Sequence, residues 1–144
     1  MIAVDTNVLV YAHRRDSPFH ERALTRLAEL AEGGQSWAIP WPCVHEFLAI
    51  VTHPRIYLPP STMDQALDQL MAWTEAPGLA LIGELPGYEV TLRSVLTASR
   101  VVGPRVHDAR IAAICQQNGV RLLWSADRDL GRFSGLTVIN PLVS

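Results

Sequence analysis

The sequence predicts an α/β fold in which a parallel sheet lies sandwiched between helical layers. Three observations predict it. Short apolar segments that read as strands alternate with amphipathic segments of helical period. Proline and glycine fall between these segments rather than inside them. The chain's 144 residues, 49% of them hydrophobic, suffice for one domain with a sheet covered on both faces. Crossovers in such a sheet are right-handed, and ligands bind beyond the carboxyl ends of its strands.

Ile2 to Val4 reads as a short buried strand, and "NVLVYAHR" continues as a helical turn or two, with Asp5 between them. From Pro18, "PFHERALTRLAELAEGG" places Phe19, Ala23, Leu27 and Leu30 near one face and stops at Gly33-Gly34, a helix with a glycine terminator. "SWAIP" is the second strand. Pro42 suits the first helical position of "PCVHEFLAIVTH", which carries Val44, Phe47, Leu48 and Val51 and ends at His53-Pro54. "RIYLPP" is a loop. The next helix, "STMDQALDQLMAWTE", has Ser61 or Thr62 as its cap and Leu67, Leu70, Met71 and Trp73 mostly inward.

"GLALIGE" is a third strand after Pro77-Gly78. "YEVTLRSVLTASRVVG" is amphipathic and closes at Gly103-Pro104, and "HDARIAAICQQNG" is a helix ending at Gly119. "VRLLWSAD" and "LTVINP" are the last two strands. Repeats, low-complexity tracts and linkers are absent, so the chain is expected to be one domain, residues 1–144.

Twelve basic residues face fourteen acidic ones, a balance that neither supports nor excludes a nucleic-acid substrate. All twelve are arginine. The lack of lysine argues against P-loop and Schiff-base chemistry, each of which needs an amine. Cys43 and Cys115 lie far apart inside apolar segments, as buried reduced thiols do. The N-terminal apolar run meets Asp5 too soon for a signal peptide or membrane span, so a cytoplasmic protein without membrane attachment is expected.

Five acids stand where chemistry is done in such a sheet. Asp5 follows the first strand and can act as the N-cap of the helix after it. Asn7 could bond Asp5 or a local turn. Glu46 lies in an apolar helical stretch, where burial would demand a partner or a metal; alternatively it rides the exposed strip beside His45. Asp108 occupies the first turn of its helix, where a dipole-stabilising aspartate also belongs. Asp127 follows the fourth strand, with Asp129 two residues on, and either can start an Asx turn with Ser125 as the loop's cap. Carboxylates gathered at one sheet edge repel and raise one another's pKa unless a cation neutralises them. Oxygen ligands without clustered His or Cys favour Mg²⁺ or Mn²⁺.

"DTNVLVYA" with Asp5, "VHEFLAI" with Glu46, "HDARIAAI" with Asp108 and "LLWSADRDL" with Asp127 resemble the PIN-domain ribonucleases, and among them the VapC toxins of bacterial toxin–antitoxin pairs. The resemblance runs from Met1 to the final strand. It implies a three-layer α/β/α sandwich with a five-stranded parallel sheet, an Mg²⁺- or Mn²⁺-dependent endoribonuclease, and a homodimer inhibited by a small antitoxin. It makes Asp5 and Asp108 the main metal ligands, lets Glu46 complete the ligand set or orient a water, and has Asp127 support a second metal. Asn7 and Ser125 match polar positions that accompany the first and fourth acids. The fourth motif departs from the family, with Trp124 before the serine and Leu130 where an aromatic is usual, which leaves Asp127 and Asp129 both open as the fourth acid.

Hydrolysis by this chemistry leaves 5′-phosphate and 3′-hydroxyl ends. An acidic pocket repels RNA, so local arginines must bring the backbone in: Arg14 and Arg15 after the first acid, Arg105 and Arg110 around Asp108, Arg128 and Arg132 beyond Asp127, with Arg110 and Arg128 preferred. An antitoxin would dock in an apolar groove between the helix from Pro18 and the helix pair from Pro42 to Glu75, with Trp37, Ile56 and Trp73 as lining. Two other functions fit less well. A flap-type structure-specific DNA nuclease would need helical arches for which this chain has no room, and a catalytically inactive RNA-binding or assembly module would not need all four acids.

Overall fold

The computed structural model describes residues 1–143. Its five strands are β1 (Ile2–Val4), β2 (Trp37–Pro40), β3 (Leu79–Ile82), β4 (Leu122–Trp124) and β5 (Thr137–Ile139), and its helices are α1 (Thr6–His13), α2 (His20–Glu32), α3 (Trp41–Val51), α4 (Met63–Thr74), α5 (Tyr88–Ser99) and α6 (Val106–Gln117). All neighbouring strands pair in parallel, in the order β3-β2-β1-β4-β5. From β1 the chain steps one way to β2 and β3, then returns across the sheet to β4 and β5. Right-handed crossovers in opposite directions put α1 to α4 on one face and α5 with α6 on the other. The expected α/β/α sandwich around a five-stranded parallel sheet is therefore observed.

The central strands are buried on both faces, which is why they read as unbroken apolar runs. Ala3, Val4, Trp37, Ala38, Ile39 and Leu123 are fully enclosed, and Leu9, Leu27, Leu30, Val44, Phe47, Val51 and Ile114 pack on them from the helices. Each large aliphatic or aromatic side chain so placed contributes about 1.5–3 kcal/mol relative to exposure. Cys43 and Cys115 are free, buried thiols, as expected.

Local signals set most boundaries. Thr62 caps α4 with a complete capping box, its hydroxyl accepting from the Gln65 amide while the Gln65 side chain accepts from the Thr62 amide. Pro40 caps α3, so Pro42 stands one position later in that helix than expected. Helix α2 starts at His20 rather than at Pro18, because the Ser17 hydroxyl accepts from the Phe19 amide and holds the entry in a turn.

Two expectations need correction. Leu67 and Met71 on α4 do not face inward; both are exposed, and Ala66 is the residue of that helix that is fully buried. Helix α5 ends at Ser99, with Arg100 in the left-handed conformation, rather than running to Gly103-Pro104. The reason is Val101, which is buried and turns the chain inward before Gly103 turns it again at φ 62°. Among the described residues no helix is long and apolar enough to cross a membrane.

Candidate active site

The register of β1 on β4 opposes Val4 to Trp124, so Asp5 and Ser125 are the first residues past one sheet edge. The Asp5 amide donates to the Trp124 carbonyl at 2.9 Å and extends the pairing by one bond. This is the carboxyl end of the two strands on which the chain reverses its direction across the sheet, the place where an open parallel sheet leaves a crevice. Glu46 comes to it on α3, Asp108 on the first turn of α6, and Asp127 from the loop after β4.

Asp5 is the hub. It is buried and caps α1, with Oδ1 accepting from the Thr6 amide at 2.8 Å. The Cys43 thiol donates to the same oxygen at 3.5 Å. Oδ2 accepts from the Ser125 hydroxyl at 2.6 Å and from the Asn7 amide nitrogen at 3.5 Å. Ser125 also accepts from the Asp127 amide at 2.9 Å and from Asn7 at 3.3 Å, and the Asn7 carbonyl takes the Ala126 amide at 3.1 Å. Asn7 and Ser125 thus tie the β4 loop to the start of α1. Asp127 caps a 3-10 turn spanning Arg128–Arg132 by accepting the Asp129 amide at 2.9 Å.

The acids sense one another. Burial raises the pKa of Asp5, with the nearby Asp127 charge adding to it against the bonds from Ser125, Thr6 and Cys43. Partial desolvation raises Glu46, and the charges of Asp5 and Asp108 push the same way. Desolvation raises Asp108, followed by the charges of Asp127 and Asp129, while Arg105 opposes the shift. Four carboxylates, from the residue after β1, from α3, from α6 and from the β4 loop, therefore act on one another. Glu46 belongs to it without being deeply enclosed: it lies on the exposed strip beside His45, and Thr6 Oγ1 donates to its Oε2 at 3.3 Å. Asp129 stands further out, its carboxylate paired with Arg105.

Among the described residues no three His, Cys, Asp or Glu side chains stand ready-assembled around a metal position. The donor chemistry nonetheless fits a hard divalent ion, since every acid in the set offers oxygen and a cation would offset the desolvation and mutual repulsion that raise the pKa values of Asp5, Glu46 and Asp108. The two 3.5 Å contacts on Asp5, from Asn7 and Cys43, are the ones with room to give way to a ligand bond.

The arginines divide into two groups. Arg110 pairs with Glu84 at 2.8 Å, and Arg14 pairs with Asp16 at 2.6 Å while lying 4.2 Å over the Tyr57 ring. Arg15 and Arg128 are exposed and make no ion pair among the described residues. Arg105 reaches Asp108 at 3.4 Å as well as Asp129. Of the expected groove residues, Trp37 is fully buried in β2 and cannot line a surface; Trp73 packs against Phe47 at 5.0 Å, and Ile56 is exposed.

Thr6 and Cys43 were not among the site residues expected from the sequence. Cys43 precedes Glu46 by three positions on one helix, a spacing that puts both side chains on the side of α3 facing Asp5, so the signal was present in the motif. Thr6 follows the first acid directly.

Comparison with known proteins agrees with the geometry. The PIN domain profile matches residues 2–136. Ribonuclease VapC48 of Mycobacterium tuberculosis is 31% identical over 137 residues, 95% of this chain and 94% of that protein. In fold, the crystal structure of VapBC2 from Rickettsia felis bound to a DNA fragment from its promoter aligns with a TM-score of 0.70 at 19% identity, over 97% of this chain and 98% of that one. The crystal structure of Mycobacterium tuberculosis VapC20, a sarcin–ricin loop cleaving toxin, aligns with a TM-score of 0.66 at 13% identity, over 94% and 98%. The profile spans the sheet edge and all four coupled acids, and with the VapC relatives it shows that this chain belongs to the PIN-domain family, among the VapC ribonucleases.

Proposed function

We propose that this chain is a cytoplasmic endoribonuclease toxin that requires Mg²⁺ or Mn²⁺, leaves 5′-phosphate and 3′-hydroxyl ends, and is restrained by a small antitoxin. The observation that carries the reading is the convergence of Asp5, Glu46, Asp108 and Asp127 at one sheet edge, where desolvation and then the neighbouring carboxylate charges raise the pKa values of Asp5, Glu46 and Asp108.

Asp5, Asp108 and Asp127 would hold the divalent ion, with Glu46 completing the set from the mouth of the cleft. A bound ion supplies a lowered pKa for an attacking water and stabilisation of the charge that develops on the phosphodiester. Ser125, Asn7 and the Thr6 amide fix the orientation of the Asp5 carboxylate at the sheet edge. Asp127 is the fourth acid rather than Asp129, because its charge acts on both Asp5 and Asp108, whereas Asp129 is turned to Arg105. The unpaired Arg128 and Arg15 suit the RNA backbone better than Arg110 and Arg14, whose guanidinium groups are already engaged.

Exposed apolar side chains support a partner surface. Phe19 and Leu24 on or next to α2 and Met63, Leu67 and Met71 on α4 all face solvent, a pattern suited to an amphipathic antitoxin helix. A homodimer accords with the uncovered face of α5, on which no residue is fully buried.

Cleavage of a pool of total RNA by the purified chain, with Mg²⁺, Mn²⁺ or EDTA and beside Asp5→Asn, tests the reading. Metal-dependent cuts bearing 5′-phosphates, absent from Asp5→Asn, are expected. A folded, antitoxin-free wild type that cuts nothing with either metal would refute it.

A further inference from the structure

Arg105 is the only basic side chain that forms an ion pair with any of the five acids among the described residues. Its Nη1 lies 3.4 Å from Asp108 Oδ2, and its Nη2 is hydrogen-bonded to Asp129 Oδ2. One guanidinium thus bridges two elements far apart in sequence, the first turn of α6 and the 3-10 turn beyond β4. Its backbone is held in a second 3-10 turn, Gly103–Arg105, that Gly103 enters at φ 62° and Pro104 stiffens. The side chain itself is 39% exposed, on the solvent side of the cleft.

Asp108 is the acid that this arrangement compromises. A divalent ion needs its carboxylate oxygens, and Oδ2 is already given to Arg105. Two cations on one carboxylate repel, so the ion and the guanidinium compete. Resting on the metal-dependent reading above, we infer that Arg105 is a built-in counter-ion of the cleft, which holds Asp108 and Asp129 together without metal and must leave Asp108 for a divalent ion to bind. The device keeps the acids from splaying apart in the metal-free protein and lowers the affinity for the ion. Once displaced, the guanidinium stays on the Asp129 side of the cleft, where its planar fork suits an incoming phosphate.

The test is Mn²⁺ binding to the purified wild type, Arg105→Gln and Arg105→Lys by titration calorimetry, with thermal melts in EDTA and in Mn²⁺. A positive charge about 6 Å from a doubly charged ion, at water-like dielectric, opposes it by a factor of about ten. Arg105→Gln should therefore bind Mn²⁺ roughly tenfold more tightly, yet melt about 1–2 °C lower in EDTA. Arg105→Lys, which keeps the charge, should stay within about threefold of the wild type in Mn²⁺ affinity. If Arg105 only braced the loop, both variants would bind the ion more weakly, and that result, or an unchanged affinity in Arg105→Gln, overturns the counter-ion. Absence of Mn²⁺ binding in all three proteins would overturn the metal-dependent reading itself and the counter-ion with it.

Discussion

Removing one hydroxyl should show how far the acid at the end of β1 depends on its neighbours. Ser125 is 1% exposed and makes three hydrogen bonds: to Asp5 Oδ2 at 2.6 Å, from the Asp127 amide at 2.9 Å and from Asn7 at 3.3 Å. Ser125→Ala deletes all three while leaving the backbone conformation accessible. A hydrogen bond to a buried carboxylate is worth about 1.5–3 kcal/mol, because its loss leaves charge unsatisfied. Part of that loss is recovered by the Thr6 amide that stays on Asp5 and by further uptake of a proton at low pH. A net cost of about 2–3 kcal/mol follows. At about 3–4 °C per kcal/mol for a chain of this length, Tm should fall by roughly 6–12 °C.

The pH dependence is the sharper part of the prediction. Ser125 stabilises the ionised form of Asp5, so its removal raises the folded-state pKa of Asp5 further above the unfolded value. The stability difference between wild type and Ser125→Ala should be full where pH lies above the raised pKa of Asp5 in both proteins, and shrink as pH falls through it. Thermal melts of metal-free protein between pH 4.5 and 8, on the order of half-unit steps, read this directly. A difference that does not change with pH, or a Tm loss under about 2 °C, would refute the claim that this bond supports the charged carboxylate.

Three further outcomes are expected. Gly78 has no room for a side chain, since an added Cβ would stand 2.3 Å from the Gln35 carbonyl oxygen, so Gly78→Ala should lower stability in urea by about 1–3 kcal/mol while leaving cleavage per folded molecule unchanged. Asp5, Glu46 and Asp108 all have raised pKa values in the folded protein, so they bind protons more tightly folded than unfolded; metal-free stability should fall as pH rises from their ordinary values of 3.8, 4.5 and 3.8 through the raised ones and then level off, and saturating Mn²⁺ should invert that slope in calorimetric melts. Arg128→Ala should weaken RNA binding and reduce the slope of log affinity against log salt by about one, with Mn²⁺ affinity unchanged by calorimetry.

The order of elements was legible because each carries its own local signal. The apolar run before Asp5, the proline-led start of α3 and the Thr62 capping box each fix one piece of chain with information held in a few residues. Facing and pairing were less legible. Trp37 reads equally as a groove residue or a core residue, and only the two layers closing over β2 decide it. Leu67 and Met71 obey helical spacing, yet α4 lies at the margin of its layer and buries little beyond Ala66, so the same apolar face is left to solvent. Arg14 and Arg110 sit near acids in sequence, but Asp16 and Glu84 claim them, and partner choice of that kind depends on side-chain reach across loops.

For Asp5 the sequence poses a choice between a helix cap and a catalytic ligand; the structure shows the cap, and the proposed ligand role is compatible with it. The same carboxylate caps α1 through Oδ1 and collects Ser125 and Asn7 on Oδ2. Capping is what makes the ligand usable. A free aspartate at a strand end would rotate, and binding an ion would have to freeze it; here the Thr6 amide and the Ser125 hydroxyl have already done so during folding. The helix N-terminus and the serine also favour the ionised form, working against the burial that raises its pKa. A capping residue and a metal ligand need the same things from the fold, a negative charge fixed at the end of a strand where a helix begins, so one residue would serve both in the proposed mechanism.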